Sequence, residues 1–405
     1  MSLIKTKDGR SFLVPFVLIT SLFFLWGFAH SILDVLNKHF QDSLQISKAG
    51  SAMVQAVVYG GYFLMAIPAG KIISRYGYRA GVITGLLLYG TGALMFIPGA
   101  KLLSFDFFLL CLFIIGCGLT CLETAANPYV TVLGEPESAE RRINLSQSLN
   151  GLGWIVGPLV GGLLLFNGSS TGSSTALALP YAIVGVVVLC IAFAFTRVKL
   201  PEVEEEGTEK LEDKGLKLKE SLWSHSNFVF GLLSLFLYVA AQTGLNSFFI
   251  NYATNNAGID ATTASLILGF GCMGLFMLGR MGGSWIMGMI RSESLLCLCA
   301  VGAVLSMVMI LFAPGSAGIG ALLLCYLCES IMFPTIFALA IRGVGRHTKQ
   351  ASSYLIMSIV GGAVAPLLMG WIADSTGDMR PSFIVPLICF AVITAFAVWM
   401  RRKVG

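Results

Sequence analysis

The sequence predicts an all-α membrane protein, with about twelve transmembrane helices in two six-helix halves. Three observations carry that expectation. Only 12% of the residues are Asp, Glu, Lys or Arg and 56% are apolar, whereas ordinary soluble domains carry roughly 25% charged residues. In water, 405 residues could not cover their exterior with so few charges; in lipid they need not. Second, apolar runs of about 20 residues, the length that crosses a bilayer, centre near residues 23, 61, 89, 117, 155 and 187, and again near 238, 272, 303, 329, 360 and 390. Third, residues 199–221, including PEVEEEGTEKLEDKGLKLKE, form the one long polar stretch between the two sets. The expected division is therefore a half at 1–198, a solvated linker at 199–221 and a second half at 222–405.

Taken in order, the elements support this. Lys5, Lys7 and Arg10 precede the first apolar run, which continues through Trp26 and His30 to Asp34 without a small-residue cleavage site; it reads as a retained helix and not as a signal peptide. Spans two and three are joined by GKIISRYGYRAG, whose spaced cations Arg75 and Arg79 suit a loop that pins helix ends by charge; cations that only set topology fit it equally. Of the 26 Lys and Arg, Lys38, Lys48, Lys101 and Arg380 fall on one side and Arg280 lies inside a span, which leaves 21 for the side of the N-terminus. The positive-inside rule places both termini and the linker in the cytoplasm, and an even number of spans requires the same. The expected location is a cell inner membrane. The net charge of +5 comes from these clusters and forms no continuous basic face, so no nucleic-acid partner is expected. All ten cysteines lie in apolar spans and read as small packing residues.

The halves also repeat. Span four reads Glu123-Thr-Ala-Ala-Asn-Pro128 and span ten reads Glu329-Ser-Ile-Met-Phe-Pro334, each a Glu five residues before a Pro and each followed by a basic loop. GPLVGG in span five resembles APLLMG in span eleven. Repeats of this kind place a binding site near the bilayer midplane, between the halves.

Ionisable groups inside spans are costly and mark function by default. Glu123 has no charged neighbour from residue 107 to 133. It suits a coupling group, whose protonation depends on the side it faces, and it also suits a neutral packing residue. Asn127, one turn on, shares its face. Asp34 shares a helical stripe with Trp26 and His30; it reads either as a titrating group in the cavity or as a residue just past the helix end. Glu329 holds the equivalent place in the second half. Arg280 in LFMLGRMGG needs a partner; if that is Glu329, the pair is structural or gating. Gln147 and Asn150 on span five, with Gln242, Asn246 and Asn251 on span seven, supply amides that donate and accept together, as sugar hydroxyls require and as helix packing also uses. His30 is placed in the binding cavity. No GxxxxGK[ST] or HExxH motif is present, and GSSTG lies in an external loop. No cofactor and no catalytic residue is expected.

The GKIISRYGYRAG loop resembles the signature loop of the major facilitator superfamily, without its usual acidic residue. CLETAANPYVTVLG, NLSQSLNGLG and FPTIFALAIRG resemble segments of the fucose:proton symporter family, which also holds glucose/galactose and N-acetylglucosamine permeases. The resemblance covers nearly the whole chain. It implies a major facilitator fold, no enzymatic activity, and monosaccharide import by proton symport through alternating access. It further implies that Asp34 and Glu123 couple the proton and that Gln147 and Asn150 touch sugar. His30 and Ser31 stand where fucose permeases tend to carry asparagines, so glucose, galactose or an amino sugar fits as well as fucose. Sodium coupling through the same carboxylates stays open, and a non-sugar facilitator such as a drug exporter is the nearest rival. A functional monomer in lipid is expected.

Overall fold

The computed structural model describes residues 12–44, 53–102, 104–166, 174–197, 221–312 and 315–404. In the first half, α1 is Leu13–Leu44, α2 Met53–Leu94, α3 Phe96–Leu102, α4 Phe105–Val132, α5 Ala139–Phe166 and α6 Ser174–Arg197. In the second, α7 is Ser226–Ala257, α8 Ala261–Leu266, α9 Met273–Ile286, α10 Ser292–Phe312, α11 Ser316–Glu329, α12 Met332–Ile341, α13 Thr348–Met357, α14 Val364–Thr376 and α15 Ile384–Val404. A π-turn at Ile267–Cys272 joins α8 to α9, and a 3₁₀ turn at Ser358–Ala363 joins α13 to α14.

Nine stretches among the described residues are long and apolar enough to cross a bilayer. One of them, Ala56–Leu102, holds two crossings, because Gly77 takes φ 83° and breaks α2. That backbone favours glycine and turns the chain between spans two and three. The crossings of α5 and α6 complete twelve. α5 carries Arg142, Asn144, Gln147 and Asn150, all buried, so this stretch of it faces protein and not lipid.

Arg79 donates to the carbonyls of Phe195 and Thr196 at the last turn of α6. A cation at a helix C-terminus satisfies the orphan carbonyls and the dipole together, so this loop residue pins α2 to α6. Arg142 does the same for α4. Its guanidinium donates to the carbonyls of Val130 (3.0 Å), Thr131 (2.5 Å) and Glu135 (2.9 Å). Arg75 is exposed and lies over the Tyr76 ring.

Two helices touch backbone to backbone. A Cβ on Gly27 of α1 would fall 2.1 Å from the Asn150 carbonyl oxygen of α5, and one on Gly153 would fall 2.4 Å from the Phe24 carbonyl oxygen. In lipid such close approach is the main source of helix association. Gly27→Ala should therefore force α1 from α5 and cost about 1–3 kcal/mol, read as a lower melting temperature in detergent; an unchanged melting temperature would deny the contact.

The halves meet at the end of the bundle where α6 stops and α7 begins, the linker end. Arg342, after α12, pairs with Glu140 of α5 and with Glu293 of α10. The charge of these two carboxylates holds the Arg342 guanidinium above its ordinary range despite partial burial, which works the other way. Arg141 Nε donates to the Ser284 carbonyl (3.1 Å), and Ser284 Oγ returns a bond to the Arg141 carbonyl (2.9 Å). Asn144 Nδ2 donates to Thr335 Oγ1 (3.2 Å). These bonds close the linker end. At the opposite end, within the second half, Asn256 and Arg380 both donate to Asp378; the Arg380 bond holds the Asp378 carboxyl down to about 2. Residues 199–220 of the expected linker lie outside the described residues.

Candidate functional site

The two Glu-to-Pro repeats shape the midplane. Proline has no N–H, so the carbonyl four residues before it loses its helical donor. For Pro128 that carbonyl is Thr124, and for Pro334 it is Ser330. Both are buried and both find donors, as buried carbonyls must. Ser352 Oγ of α13, from the opposite half, donates to the Thr124 carbonyl at 3.1 Å. Arg280 Nε of α9, from the same half, donates to the Ser330 carbonyl at 2.8 Å. In span ten the missing bond also interrupts the helix between α11 and α12, whereas α4 runs through Pro128 unbroken.

Each carboxyl sits one residue before the freed carbonyl. Glu123 is 2% exposed, and neither of its oxygens makes a hydrogen bond of regular geometry. The Tyr62 hydroxyl of α2 stands close enough to interact with it, but that hydroxyl is already bonded to His30 Nε2 at 3.0 Å. His30 in turn packs on Trp154, with ring centroids 6.0 Å apart and planes 21° apart, and meets Trp26 edge-on. One wall of the site is thus an aromatic cluster leading to a buried carboxyl. Tyr62 was not legible as a member of it, because a single tyrosine in an apolar span reads as packing.

The other wall is amide. Asn127, one turn after Glu123, accepts from Gln147 Nε2 at 3.3 Å, and its own Nδ2 lacks a partner. Arg280, 4% exposed, crosses from the second half to meet this wall. Its Nη1 donates to the Gln147 carbonyl (3.0 Å), to Gln147 Oε1 (3.1 Å) and to Asn150 Oδ1 (3.4 Å). Its planar face lies 4.3 Å from the Phe276 ring centroid. Asn150 Nδ2 donates to the Phe23 carbonyl (3.2 Å). Each of these amides can donate and accept hydrogen bonds together.

Glu329 is fully buried with both oxygens unbonded. Arg280 lies within electrostatic reach of it but forms no ion pair with it. The guanidinium instead holds the amides, so the open question about its partner resolves towards α5. Tyr238 donates to the Glu329 backbone carbonyl (3.1 Å), and Tyr326 donates to Asn246 Oδ1 on α7 (2.7 Å). Gln242, one turn before Asn246, is half-buried.

The structure thus gathers His30, Glu123, Asn127, Gln147, Asn150 and Arg280 into one cluster where the halves meet, with Glu329 within electrostatic reach of Arg280; Asn246 bonds to Tyr326 of α11, and Gln242 precedes it by one turn on α7. Arg75 and Arg79 lie at the linker end, away from it. The Asp34 side chain lies outside the described residues, but α1 continues to Leu44, so Asp34 is within the helix and not past its end. Among the described residues no cluster of three His, Cys, Asp or Glu could hold a metal ion.

Comparison with known proteins gives a consistent picture. The family model of the Major Facilitator Superfamily matches residues 18–359. The L-fucose-proton symporter of Escherichia coli K12 is 35% identical over 412 aligned residues, covering 96% of this chain and 94% of that protein. The glucose/galactose transporter of Brucella abortus is 34% identical, covering 97% and 95%. A crystal structure of the major facilitator transporter FucP in the outward conformation superposes with a TM-score of 0.85 at 34% identity, covering 96% of this chain and 99% of that one.

Proposed function

The chain belongs to the major facilitator superfamily, in the group that holds L-fucose-proton symporters and glucose/galactose transporters, and from that premise we propose that it imports a monosaccharide by proton symport through alternating access. The observation that carries the reading is Glu123. It is a buried, uncompensated carboxyl at the end of the aromatic wall, one turn from Asn127 of the amide wall. Burying an unpaired carboxylate is expensive, so a group in that position is occupied by a proton whenever its surroundings are dry. A proton and a sugar then share one cavity and one opening event.

In this reading, the sugar lies between α1, α4, α5 and α7. Gln147, Asn150 and Asn127 bond its hydroxyls, and Trp26, His30 and Trp154 present the apolar face. Gln242, Asn246 and Glu329 complete the second-half side. Asp34 and Glu123 carry the coupling proton. Arg280 ties the halves until sugar takes over its amide acceptors, which makes it a gating group. Arg75 and Arg79 are structural. The linker end is cytoplasmic, since the basic loops gather there. Both termini lie on that side of a cell inner membrane, and the monomer is the working unit. Residues 1–198 and 222–405 rock against each other, with 199–221 as the tether. The bonds of Arg342, Arg141, Asn144 and Ser352 close the cytoplasmic side and so leave the cavity to open outward.

The test is uptake into proteoliposomes of a labelled panel of fucose, glucose, galactose and N-acetylglucosamine, under a proton gradient, a sodium gradient and none. Accumulation of one of these under the proton gradient alone is expected. Accumulation only with sodium would replace the coupling ion. No sugar movement under any condition would refute the proposal.

A further inference from the structure

Glu123 is 2% exposed, yet in the proposed cycle its carboxyl takes up a proton at every turnover, so a protein group has to deliver it. Tyr62 of α2 is 0% exposed, and its hydroxyl stands within reach of that carboxyl. The same hydroxyl is bonded to His30 Nε2 at 3.0 Å. His30 is only half-buried. The three groups therefore run from the more open side of the site to its driest point. With Nε2 engaged, Nδ1 is the nitrogen that His30 can offer to water or to a ligand.

A tyrosine hydroxyl can donate once and accept twice. Trp26 Nε1–H, which has no regular partner, reaches the same oxygen and takes one acceptor position. The other two positions can be filled in two ways. When Glu123 is a carboxylate, Tyr62 donates to it and accepts from His30 Nε2–H. When Glu123 is a carboxylic acid, it donates to Tyr62, Tyr62 donates to His30 Nε2, and the histidine proton sits on Nδ1. Both states satisfy the hydroxyl in full; they differ by one proton and by the direction of two hydrogen bonds.

We propose that His30 and Tyr62 form the relay that carries the coupling proton from the space between the halves to Glu123. A proton binds Nδ1, the Nε2–H bond breaks as its proton passes to the Tyr62 oxygen, and the former hydroxyl proton passes to the Glu123 carboxylate. One proton enters, one carboxylate is neutralised, and both tyrosine and histidine end neutral, the histidine as its other tautomer. After Glu123 releases its proton, His30 exchanges Nδ1–H for Nε2–H through water, with no net proton moved. Among the described residues, Tyr59 of α2 is a further titratable group in electrostatic reach of the Tyr62 hydroxyl. Arg280 of α9 is engaged with the Gln147 and Asn150 amides, and Arg141 and Arg142 of α5 are tied at the linker end. Asp34 follows His30 by one turn of α1. The relay rests on the coupling role proposed for Glu123, and its first test needs no sugar, which keeps the two separable.

That test follows the ring-nitrogen magnetic resonance shifts of the purified full-length protein, labelled at histidine, from about pH 5 to pH 9. The chain has 4 histidines, and His30→Asn identifies the signal. In wild type the His30 ring should pass from the Nε2–H form at high pH to the Nδ1–H form at low pH, and in Glu123→Gln and Tyr62→Phe that passage should be lost. A tautomer that ignores pH in wild type, or a passage that persists in Tyr62→Phe, would overturn the relay. In proteoliposomes, the ratio of gradient-driven sugar uptake to counterflow should fall at least about tenfold in Tyr62→Phe, because a positioned proton-transfer group contributes that much or more. A hydroxyl that only supports the fold would lower both rates together, and an unchanged ratio would count against the relay. If wild type moves no sugar, the transport reading fails and the tautomer measurement alone decides.

Discussion

In Glu123→Gln, sugar accumulation driven by a pH gradient should vanish while sugar exchange across the membrane persists. A symporter moving one proton per sugar can concentrate its substrate about tenfold for each pH unit. With a permanently neutral amide at 123 that ratio should fall to about one. Exchange needs only that the site bind sugar and face each side in turn, and the Gln147, Asn150 and Asn127 amides remain. The carboxyl and the amide have nearly the same shape, and neither carboxyl oxygen has a regular hydrogen bond to lose, so folding should be unaffected. The measurement is a pair of assays on one preparation of proteoliposomes: gradient-driven uptake and counterflow at equal pH. If accumulation survives, Glu123 does not couple. If counterflow is lost as well, the residue serves sugar binding and not the proton alone.

Arg280→Met is expected to have the largest effect on the protein as a whole. The guanidinium serves four acceptors: the Ser330 carbonyl, the Gln147 carbonyl, Gln147 Oε1 and Asn150 Oδ1. Removing one partner from a buried charged network typically costs about 3–5 kcal/mol, because the groups left behind are unsatisfied. Counterflow should drop at least roughly a hundredfold, and the melting temperature should fall. Glu329 adds a diagnostic. It lies within electrostatic reach of Arg280 without a hydrogen bond, so loss of the cation leaves a buried carboxylate with no compensation. Arg280→Met/Glu329→Gln should then be more stable than Arg280→Met alone, a coupling that a double-mutant cycle reads directly. Strict additivity would separate the two residues, and near-wild-type counterflow in Arg280→Met would dismiss the gating role.

Much of this was legible before any coordinate. Composition and hydropathy give the class, and the repeated Glu-to-Pro spacing locates the two carboxyls and the midplane. Gln147 and Asn150 stand out because an apolar run that contains amides must bury them against protein. The sequence could not reveal what depends on how the halves meet. Glu140 and Glu293 lie in the first turns of helices and read as ordinary helix-start acids; only the docking brings Arg342 between them. Tyr62 and Ser352 carry no local signature, since their partners are a histidine on α1 and a carbonyl on α4. The opposite case is Arg280, conspicuous in the sequence but with its partner left open there, because a carboxylate is the natural partner of an intramembrane arginine and carbonyl oxygens carry no pattern.

The bond from Ser352 to the Thr124 carbonyl bears on timing. It crosses between the halves and is attached to the residue that follows Glu123. When the linker end parts, the bond must break, and the exposed carbonyl then calls in water beside the carboxyl. In the proposed cycle, breach of the seal and hydration of the Glu123 carboxyl are then a single event. On that proposal a proton held there would have no early exit, and uncoupled leakage would be suppressed by the order of steps rather than by the height of a barrier. Deuterium exchange along 120–130, compared with the rate of opening at the linker end, would show whether the two clocks agree.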